Sequence, residues 1–269
     1  MLNYVEYGKE NKYDDDIFFQ KYSQMSRSQQ GLAGAGEWET LRKLLPDFKD
    51  KRVLDLGCGY GWHCIYAMEH GASSVVGVDI SHKMLEVAKE KTHFPQVEYK
   101  CCAIEDVEFP EESFDVILSS LAFHYVADYE ILVKKIYRIL KSGGKLVFTV
   151  EHPVFTAYGT QDWYYNEKGE ILHFPVDNYY YEGKRTAVFL GEKVTKYHRT
   201  LTTYLNTLLS NGFIINHIVE PQPPEYMMDI PGMQDEMRRP MMLIVSANKK
   251  MDRYCLLYTS PSPRDYAAS

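Results

Sequence analysis

Residues 53–61 read VLDLGCGYG and place three glycines within five positions, directly after a short apolar run. Such a run indicates a buried strand, and the glycines indicate a tight turn whose main chain another group approaches closely. In open α/β sheets, ligands bind outside the carboxyl ends of the strands, next to turns of this kind. The stretch therefore predicts an α/β sheet with a ligand at its first turn.

Strand-like and helix-like segments alternate between residues 50 and 150, which predicts βαβ units and a parallel sheet. A loop without a crossover helix joins the last two strands, so the last strand is expected to be antiparallel. The fold predicted is α/β, a Rossmann-like doubly wound seven-stranded sheet with an aromatic-rich cap insertion. We predict strands at residues 52–56, 74–80, 97–102, 114–120, 145–151, 213–220 and 241–247, and helices at residues 60–69, 81–91, 128–141 and 198–212. Ser81 is the expected N-cap of the second helix, and Gly143 and Gly144 are expected to follow the end of the third.

The chain divides into three predicted segments. Residues 1–50 contain helix-forming stretches and no strand. Residues 51–253 form the main domain, in which the alternation stops at about residues 152–196, the aromatic-rich insertion. Residues 254–269 include LLYTSPSPRD, which resembles translated sequencing-adaptor read-through, so we expect this tail to be non-native.

Charge and composition weigh against several classes of partner. The formal net charge of −7 opposes attraction to nucleic acid or to an anionic membrane surface. No apolar stretch approaches the roughly 20 residues of a membrane span, and the polar start does not resemble a signal peptide. The five cysteines have no metal-ligand spacing, so we expect neither zinc nor disulfides. These features predict a cytoplasmic protein, monomer or homodimer, without a metal.

Two carboxylates narrow the choice of ligand. A dinucleotide fingerprint needs a glycine at position 62, where this chain has Trp62. Asp79 ends the second strand 20 positions after Gly59, where it can accept hydrogen bonds from both ribose hydroxyls. Asp55 disfavours a pyrophosphate at the turn but suits a ligand with an ammonium and a sulfonium group. Together they indicate S-adenosylmethionine, although each feature alone could be an ordinary turn or helix cap.

The chain resembles class I S-adenosylmethionine-dependent methyltransferases of the small-molecule, DLGCGxG type. VLDLGCGYG, VVGVDIS, AIEDVEFPEESFDVILSSLAFHYV and SGGKLVFTVEHPVF carry the resemblance, in order, over residues 51–155. It implies a methyltransferase that moves a methyl group from S-adenosylmethionine to an O, N or S atom of a small organic acceptor. It also implies that residues 1–50 form a lid over the cofactor.

The resemblance implies a cofactor site in which Asp79 holds the ribose while Ile80 and Met84 flank the adenine. Many relatives have an Asp at the position of Ala103 that grips the adenine amino group; here Glu105 or the main chain takes that role. Arg27 in the lid is free to pair with the methionine carboxylate. The implied cofactor residues are Tyr22, Arg27, Asp55, Gly57, Cys58, Gly59, Asp79, Ile80, Met84, Ile104, Glu105, Ser119 and Ser120.

Acceptor candidates follow the fourth and fifth strands and fill the insertion. His124 and His152 are the catalytic candidates because an imidazole titrates near neutral pH. The predicted acceptor-binding residues are His124, Tyr125, His152, Trp163 and Tyr180. Arg238 and Arg239 could steer an anionic acceptor. Alternatively, the aromatic residues of the insertion form the core of a small β-rich subdomain or a dimer contact.

The sequence leaves three other functions open. An RNA-modifying methyltransferase could share the fold, but the chain lacks a basic stripe with interleaved aromatics. An NAD-dependent oxidoreductase would be protected by NADH more than by S-adenosylhomocysteine. A binding protein would hold the cofactor without turnover.

Overall fold

The computed structural model describes residue 9 and residues 11–251. Its helices are α1 (Asp16–Ser23), α2 (Ser26–Gln30), α3 (Trp38–Arg42), α4 (Trp62–Glu69), α5 (His82–Lys91), α6 (Tyr129–Ile139), α7 (Pro153–Ala157) and α8 (Leu201–Ser210). Its strands are β1 (Arg52–Leu56), β2 (Ser74–Asp79), β3 (Val97–Cys101), β4 (Phe114–Ser120), β5 (Leu140–Glu151), β6 (Tyr164–Tyr165), β7 (Ile171–His173), β8 (Gly183–Phe189), β9 (Glu192–His198), β10 (Phe213–Val219) and β11 (Met242–Lys249). The predicted tail, residues 254–269, lies outside the described residues.

Seven of these strands form one sheet in the order β10-β11-β5-β4-β1-β2-β3. Strands β1 to β5 run parallel, and β11 is antiparallel to both β5 and β10. The prediction of an antiparallel last strand is therefore confirmed. The strand order reverses between β1 and β4, and the carboxyl ends of strands at such a reversal form a ligand-binding crevice.

Both faces of the sheet are buried, because the central strands are apolar at successive positions. Along β1, Val53 packs on one face with Trp38 and Val75. Its neighbour Leu54 packs on the other face, in the cluster that holds Tyr204. The glycine turn at the end of β1 is thus held by a strand anchored on two sides.

Side-chain caps fix where the main helices begin. Ser81 Oγ accepts from the Met84 N–H of α5 at 3.1 Å, as the sequence predicted. Asp128 caps α6 in the same way, and Thr200 caps α8. The predicted end of α6 was wrong: the helix stops at Ile139, because Leu140 is fully buried and already pairs with Phe114 of β4.

The insertion after β5 is β-rich. It contains α7 and two antiparallel ribbons, β6 with β7 and β8 with β9. Strand β9 ends at His198, two positions beyond the predicted limit of 196. Within the described residues, none of the helices is both long and apolar enough to cross a membrane.

Candidate functional site

The three glycines of the first turn serve different purposes. All have positive φ, at 79° for Gly57, 51° for Gly59 and 74° for Gly61. A Cβ on Gly57 would lie 2.4 Å from Ala122 Cβ, and one on Gly61 would lie 2.2 Å from the Tyr99 hydroxyl. A Cβ on Gly59 would have no atom of the described residues within 4 Å. The protein's own packing therefore requires glycine at two positions, and only Gly59 opens onto free space.

Asp79 connects this turn to the next strand. Its Oδ2 accepts from the Gly59 N–H at 2.8 Å, and its Oδ1 accepts from the Ser81 N–H at 2.9 Å. Burial raises the pKa of the Asp79 carboxyl, although these main-chain hydrogen bonds oppose the rise. Each carboxylate oxygen has further lone-pair capacity, so Asp79 can accept from a ligand while it holds the turn.

A cavity of about 230 Å³ lies beside Gly59 and Asp79. It runs from the ends of β1 and β2 to the end of β5 and the ribbon strand β9. The predicted residues that line it are Tyr22, Arg27, Gly57, Gly59, Asp79, Ile80, Met84, Ile104, Glu105, Ser120, His124 and Tyr125. Most of the predicted cofactor residues and two of the acceptor residues are thus brought together at one cavity.

The N-terminal segment covers part of this cavity. Asp14 fastens the segment to α5, because its carboxylate accepts from Ser81 Oγ at 2.6 Å and from the Lys83 N–H at 3.1 Å. Tyr13 lies edge-on to Tyr22, with ring centroids 5.3 Å apart. Both tyrosines line the cavity, so residues 11–30 bring aromatic rings to the ligand space.

Arg27 reaches the cavity from the same segment. Its Nη2 donates to both carboxylate oxygens of Glu37, at 2.9 and 3.0 Å. Glu37 is only 3% exposed, whereas Arg27 is partly exposed. The Nη1 and Nε groups of Arg27 have no acceptor among the described residues, and they can donate to a ligand carboxylate.

The far end of the cavity carries charged groups. Lys196 of β9 donates to Glu151 Oε1 at 2.5 Å and to Gln161 Oε1 at 2.9 Å. Gln161 Nε2 donates to the other Glu151 oxygen at 2.6 Å. Burial opposes ionisation of Glu151, but His124, Lys196 and these hydrogen bonds outweigh it and lower the pKa of the carboxyl. Glu151 and Lys196 are therefore a buried ion pair.

His124 lies between the turn and this pair. It is 2% exposed, and burial lowers its pKa to about 4. Its Nδ1 accepts from the Glu151 N–H at 3.4 Å, which in a neutral imidazole leaves the proton on Nε2. At neutral pH His124 is thus a weak base and a hydrogen-bond donor.

Three predicted cofactor residues lie behind the turn, away from the main cavity. Asp55 is 1% exposed and contacts Cys64 Sγ at 3.5 Å. Cys58 is also buried and borders a smaller adjoining cavity near Trp62. Ser119 donates to the Leu56 carbonyl at 2.7 Å, which ties β4 to β1. Asp55 and Ser119 thus form contacts within the protein that support the turn, whereas Cys58 borders the smaller cavity.

Three predicted acceptor residues do not line the cavity either. The His152 ring caps α7 through Val154 N–H and pairs with Glu220 at 2.9 Å. Trp163 packs edge-on against Phe174. Tyr180 is 87% exposed. His152 precedes α7, and Trp163 and Tyr180 lie next to β6 and before β8 instead of at the strand ends that form the cavity.

Arg238 and Arg239 belong to the same aromatic cluster. The Arg239 guanidinium lies 4.5 Å from the Phe155 ring centroid and 5.0 Å from that of Trp163, and it pairs with Glu236 at 2.7 Å. Arg238 donates to the Leu172 carbonyl at 2.7 Å. Neither arginine lines the cavity. Their contacts agree with the alternative prediction that the aromatic residues of the insertion form the core of a small β-rich subdomain.

Twelve residues of the cavity wall were not predicted as site residues from the sequence. Glu151 was visible as the end of a strand, but Lys196 and Phe189 lie in the ribbon, far from any motif. Nothing in a single sequence pairs Lys196 with Glu151, which lies 45 positions away. The missed residues are Lys9, Tyr13, Met25, Ala103, Leu121, Ala122, Val126, Glu151, Phe189, Lys196, Met241 and Met242.

Comparisons with known proteins agree with this geometry. Residues 54–148 match a family model described as a methyltransferase domain. A solved structure of a candidate S-adenosylmethionine-dependent methyltransferase from Listeria monocytogenes is 58% identical, with a TM-score of 0.79, and the match covers 82% of this chain and 99% of that one. A solved S-adenosylmethionine-dependent methyltransferase from Mesorhizobium loti is 41% identical, with a TM-score of 0.75, over 81% and 100% of the two chains.

A more distant relative is a ubiquinone biosynthesis O-methyltransferase from Coxiella burnetii. It is 36% identical over 112 residues, which are 41% of this chain and 47% of the relative. The chain belongs to the family of S-adenosylmethionine-dependent methyltransferases, and S-adenosylmethionine is its methyl donor. The site fits this donor, because Gly59 leaves space for it and Asp79 has acceptor capacity to spare.

Asp79→Ala should weaken the binding of S-adenosylhomocysteine by roughly 1 to 3 kcal/mol, which is the range for the loss of a charged hydrogen-bond partner. Isothermal titration calorimetry measures this directly. Asp115→Ala is the matched control, since Asp115 accepts from the Arg52 N–H at 2.9 Å at the opposite end of β1. Unchanged affinity in Asp79→Ala would remove this residue from the site.

Proposed function

We propose that this methyltransferase acts on the O, N or S atom of a small organic molecule bound in the described cavity. One observation carries the proposal. The cavity beside Gly59 and Asp79 extends to a second end, which His124, Glu151 and Lys196 line. Its volume of about 230 Å³ limits what it can enclose beside a cofactor. The N-terminal segment also covers it, which disfavours a large polymer as acceptor.

The residues of the cavity would align the reaction more than drive it. S-adenosylmethionine supplies a methyl group already activated by a positively charged sulfur. Gly59, Asp79 and Arg27 would bind and orient the donor, while Tyr13, Tyr22 and Tyr125 exclude water around it. The His124 ring, neutral at pH 7, would hold the acceptor by donating a hydrogen bond from Nε2.

The proposal extends to location and partners. We propose a cytoplasmic location, and the net charge of −7 supports an acceptor other than nucleic acid. An RNA-modifying enzyme would instead need a basic surface and would show binding that falls steeply with salt.

Methyl-labelled S-adenosylmethionine tests the acceptor class. The protein is incubated with the labelled donor and, separately, with the small-molecule, RNA and protein fractions of a cell extract. Mass spectrometry should find the label in a low-mass product from the small-molecule fraction. Label confined to RNA or protein would overturn the proposal.

His124→Ala should lower turnover at least tenfold while it changes the affinity for S-adenosylhomocysteine little. The reason is that His124 accepts from the Glu151 N–H at the end of β5, whereas Gly59 and Asp79 hydrogen-bond each other at the ends of β1 and β2. Steady-state kinetics and calorimetry on the same preparation separate the two effects. Equal losses of turnover and cofactor affinity would show that His124 supports the fold instead.

A further inference from the structure

The acceptor end of the cavity contains a buried cation with an unused donor. Lys196 is 3% exposed, yet it lines the cavity. A lysine ammonium has three N–H donors, and Glu151 and Gln161 take two of them. Among residues 11–251 the third N–H has no acceptor. A desolvated donor of this kind favours an oxygen ligand.

The negative charge of the neighbouring carboxylate is already compensated. Glu151 pairs with Lys196 and also accepts a hydrogen bond from Gln161, so a cationic ligand would have to compete with the Lys196 ammonium for it. The aromatic faces nearby are also occupied, because Lys196 Nζ lies 5.9 Å from the Tyr125 ring centroid and 5.5 Å from that of Phe189. A second cation placed on these rings would be repelled by the ammonium.

His124 adds a second donor at the same end. With Nδ1 accepting from the Glu151 N–H, the neutral ring presents N–H at Nε2. Among the described residues, this end of the cavity therefore has two N–H donors and no uncompensated carboxylate charge. In a buried site, hydrogen bonds from a charged donor to an anion are the strong ones.

We propose that the acceptor is a small organic anion, whose ionised oxygen is bound by Lys196 and His124. This inference rests on the proposed function, since it names the chemical class of the small acceptor. Lys196 reaches the cavity because β9 folds back over the end of β5, so the insertion sets the specificity. Glu151 and Gln161 hold the ammonium in place.

Binding of matched compounds tests this class. The probes are benzoate, benzamide and benzylamine, with butyrate, butyramide and butylamine as an aliphatic set, each titrated into protein saturated with S-adenosylhomocysteine. We expect at least one carboxylate to bind at least tenfold more tightly than its amide and its amine. Lys196→Met should remove that preference, and Lys196→Arg should keep most of it. Lys193→Met is the control, since Lys193 is exposed on the other face of β9.

Lys196→Met leaves Glu151 buried without its cation and could unfold the protein. The double variant Glu151→Gln with Lys196→Met removes both charges at similar volume, and it should fold and bind the carboxylates no better than the amides. Carboxylates that bind no better than amides in the wild type, or equally well in the variants, would overturn the inference. Preferred binding of an amide or amine would refute it while leaving a small acceptor in place; methylation of RNA alone would refute the proposed function itself.

Discussion

Gly59→Val should leave the protein folded and raise the dissociation constant for S-adenosylhomocysteine 100-fold or more, about 2.7 kcal/mol. Among the described residues, no atom lies within 4 Å of a Cβ at position 59, so that Cβ projects into ligand space without a clash. Calorimetry measures the affinity, and urea unfolding measures the free energy of unfolding.

The positive φ of Gly59 makes a second variant necessary. A valine at φ 51° strains the main chain whether or not a ligand binds there. Gly169 has φ 78° in a turn of the insertion, and the described part of the chain again has no atom within 4 Å of a Cβ there. Gly169→Val should therefore lose a similar amount of stability and no cofactor affinity. Equal affinity in the two variants would place the cofactor elsewhere.

Asp55→Asn should stabilise the protein by about 4 kcal/mol at about pH 8, and the gain should shrink toward zero as the pH falls to about 4. Burial, with a minor contribution from the charge of Asp79, raises the pKa of Asp55 to about 7 from 3.8. Its Oδ1 has no hydrogen-bond partner among the described residues. Above pH 7 the folded protein thus holds a carboxylate that is poorly compensated.

The sign follows from proton linkage. The folded-state pKa of Asp55 is above the unfolded value, so its favourable contribution is full below about pH 4 and is lost as the pH rises to about 7. Asparagine has no such charge, which is why the variant gains at high pH only. Asp115→Asn should instead destabilise the protein at pH 8. The reason is that the hydrogen bonds from the Arg52 N–H and Lys141 lower the pKa of Asp115 despite burial. A gain for Asp55→Asn that does not vary with pH would contradict this.

The sheet could be predicted because its signals are local. The apolar runs at residues 52–56 and 114–120 coincide with β1 and β4, and Ser81 caps α5 as expected. The end of α6 could not be predicted so well. Gly143 and Gly144 suggested a helix terminus, but the pairing of Leu140 with Phe114 extends β5 backward through them. That pairing is a tertiary contact, which no local pattern records.

The candidate site also has residues that local spacing predicts and residues whose position depends on tertiary contacts. Gly59 and Asp79 follow from their spacing to neighbouring strands, whose carboxyl ends meet at one edge of the sheet. Trp163 and Tyr180 were predicted from composition alone, and the ribbons place them outside the cavity. Lys196 was missed because its role depends on how the β8–β9 ribbon folds over β5. Motif spacing thus predicts the cofactor half of the cavity better than the acceptor half.

A crystal structure of the protein with S-adenosylhomocysteine tests the central claim most directly. We expect the ribose hydroxyls of the ligand within hydrogen-bond distance of the Asp79 carboxylate and its amino-acid part over Gly59. Its sulfur should face the end of the cavity that holds His124 and Lys196. A ligand bound outside this cavity, or with its ribose away from Asp79, would contradict the account.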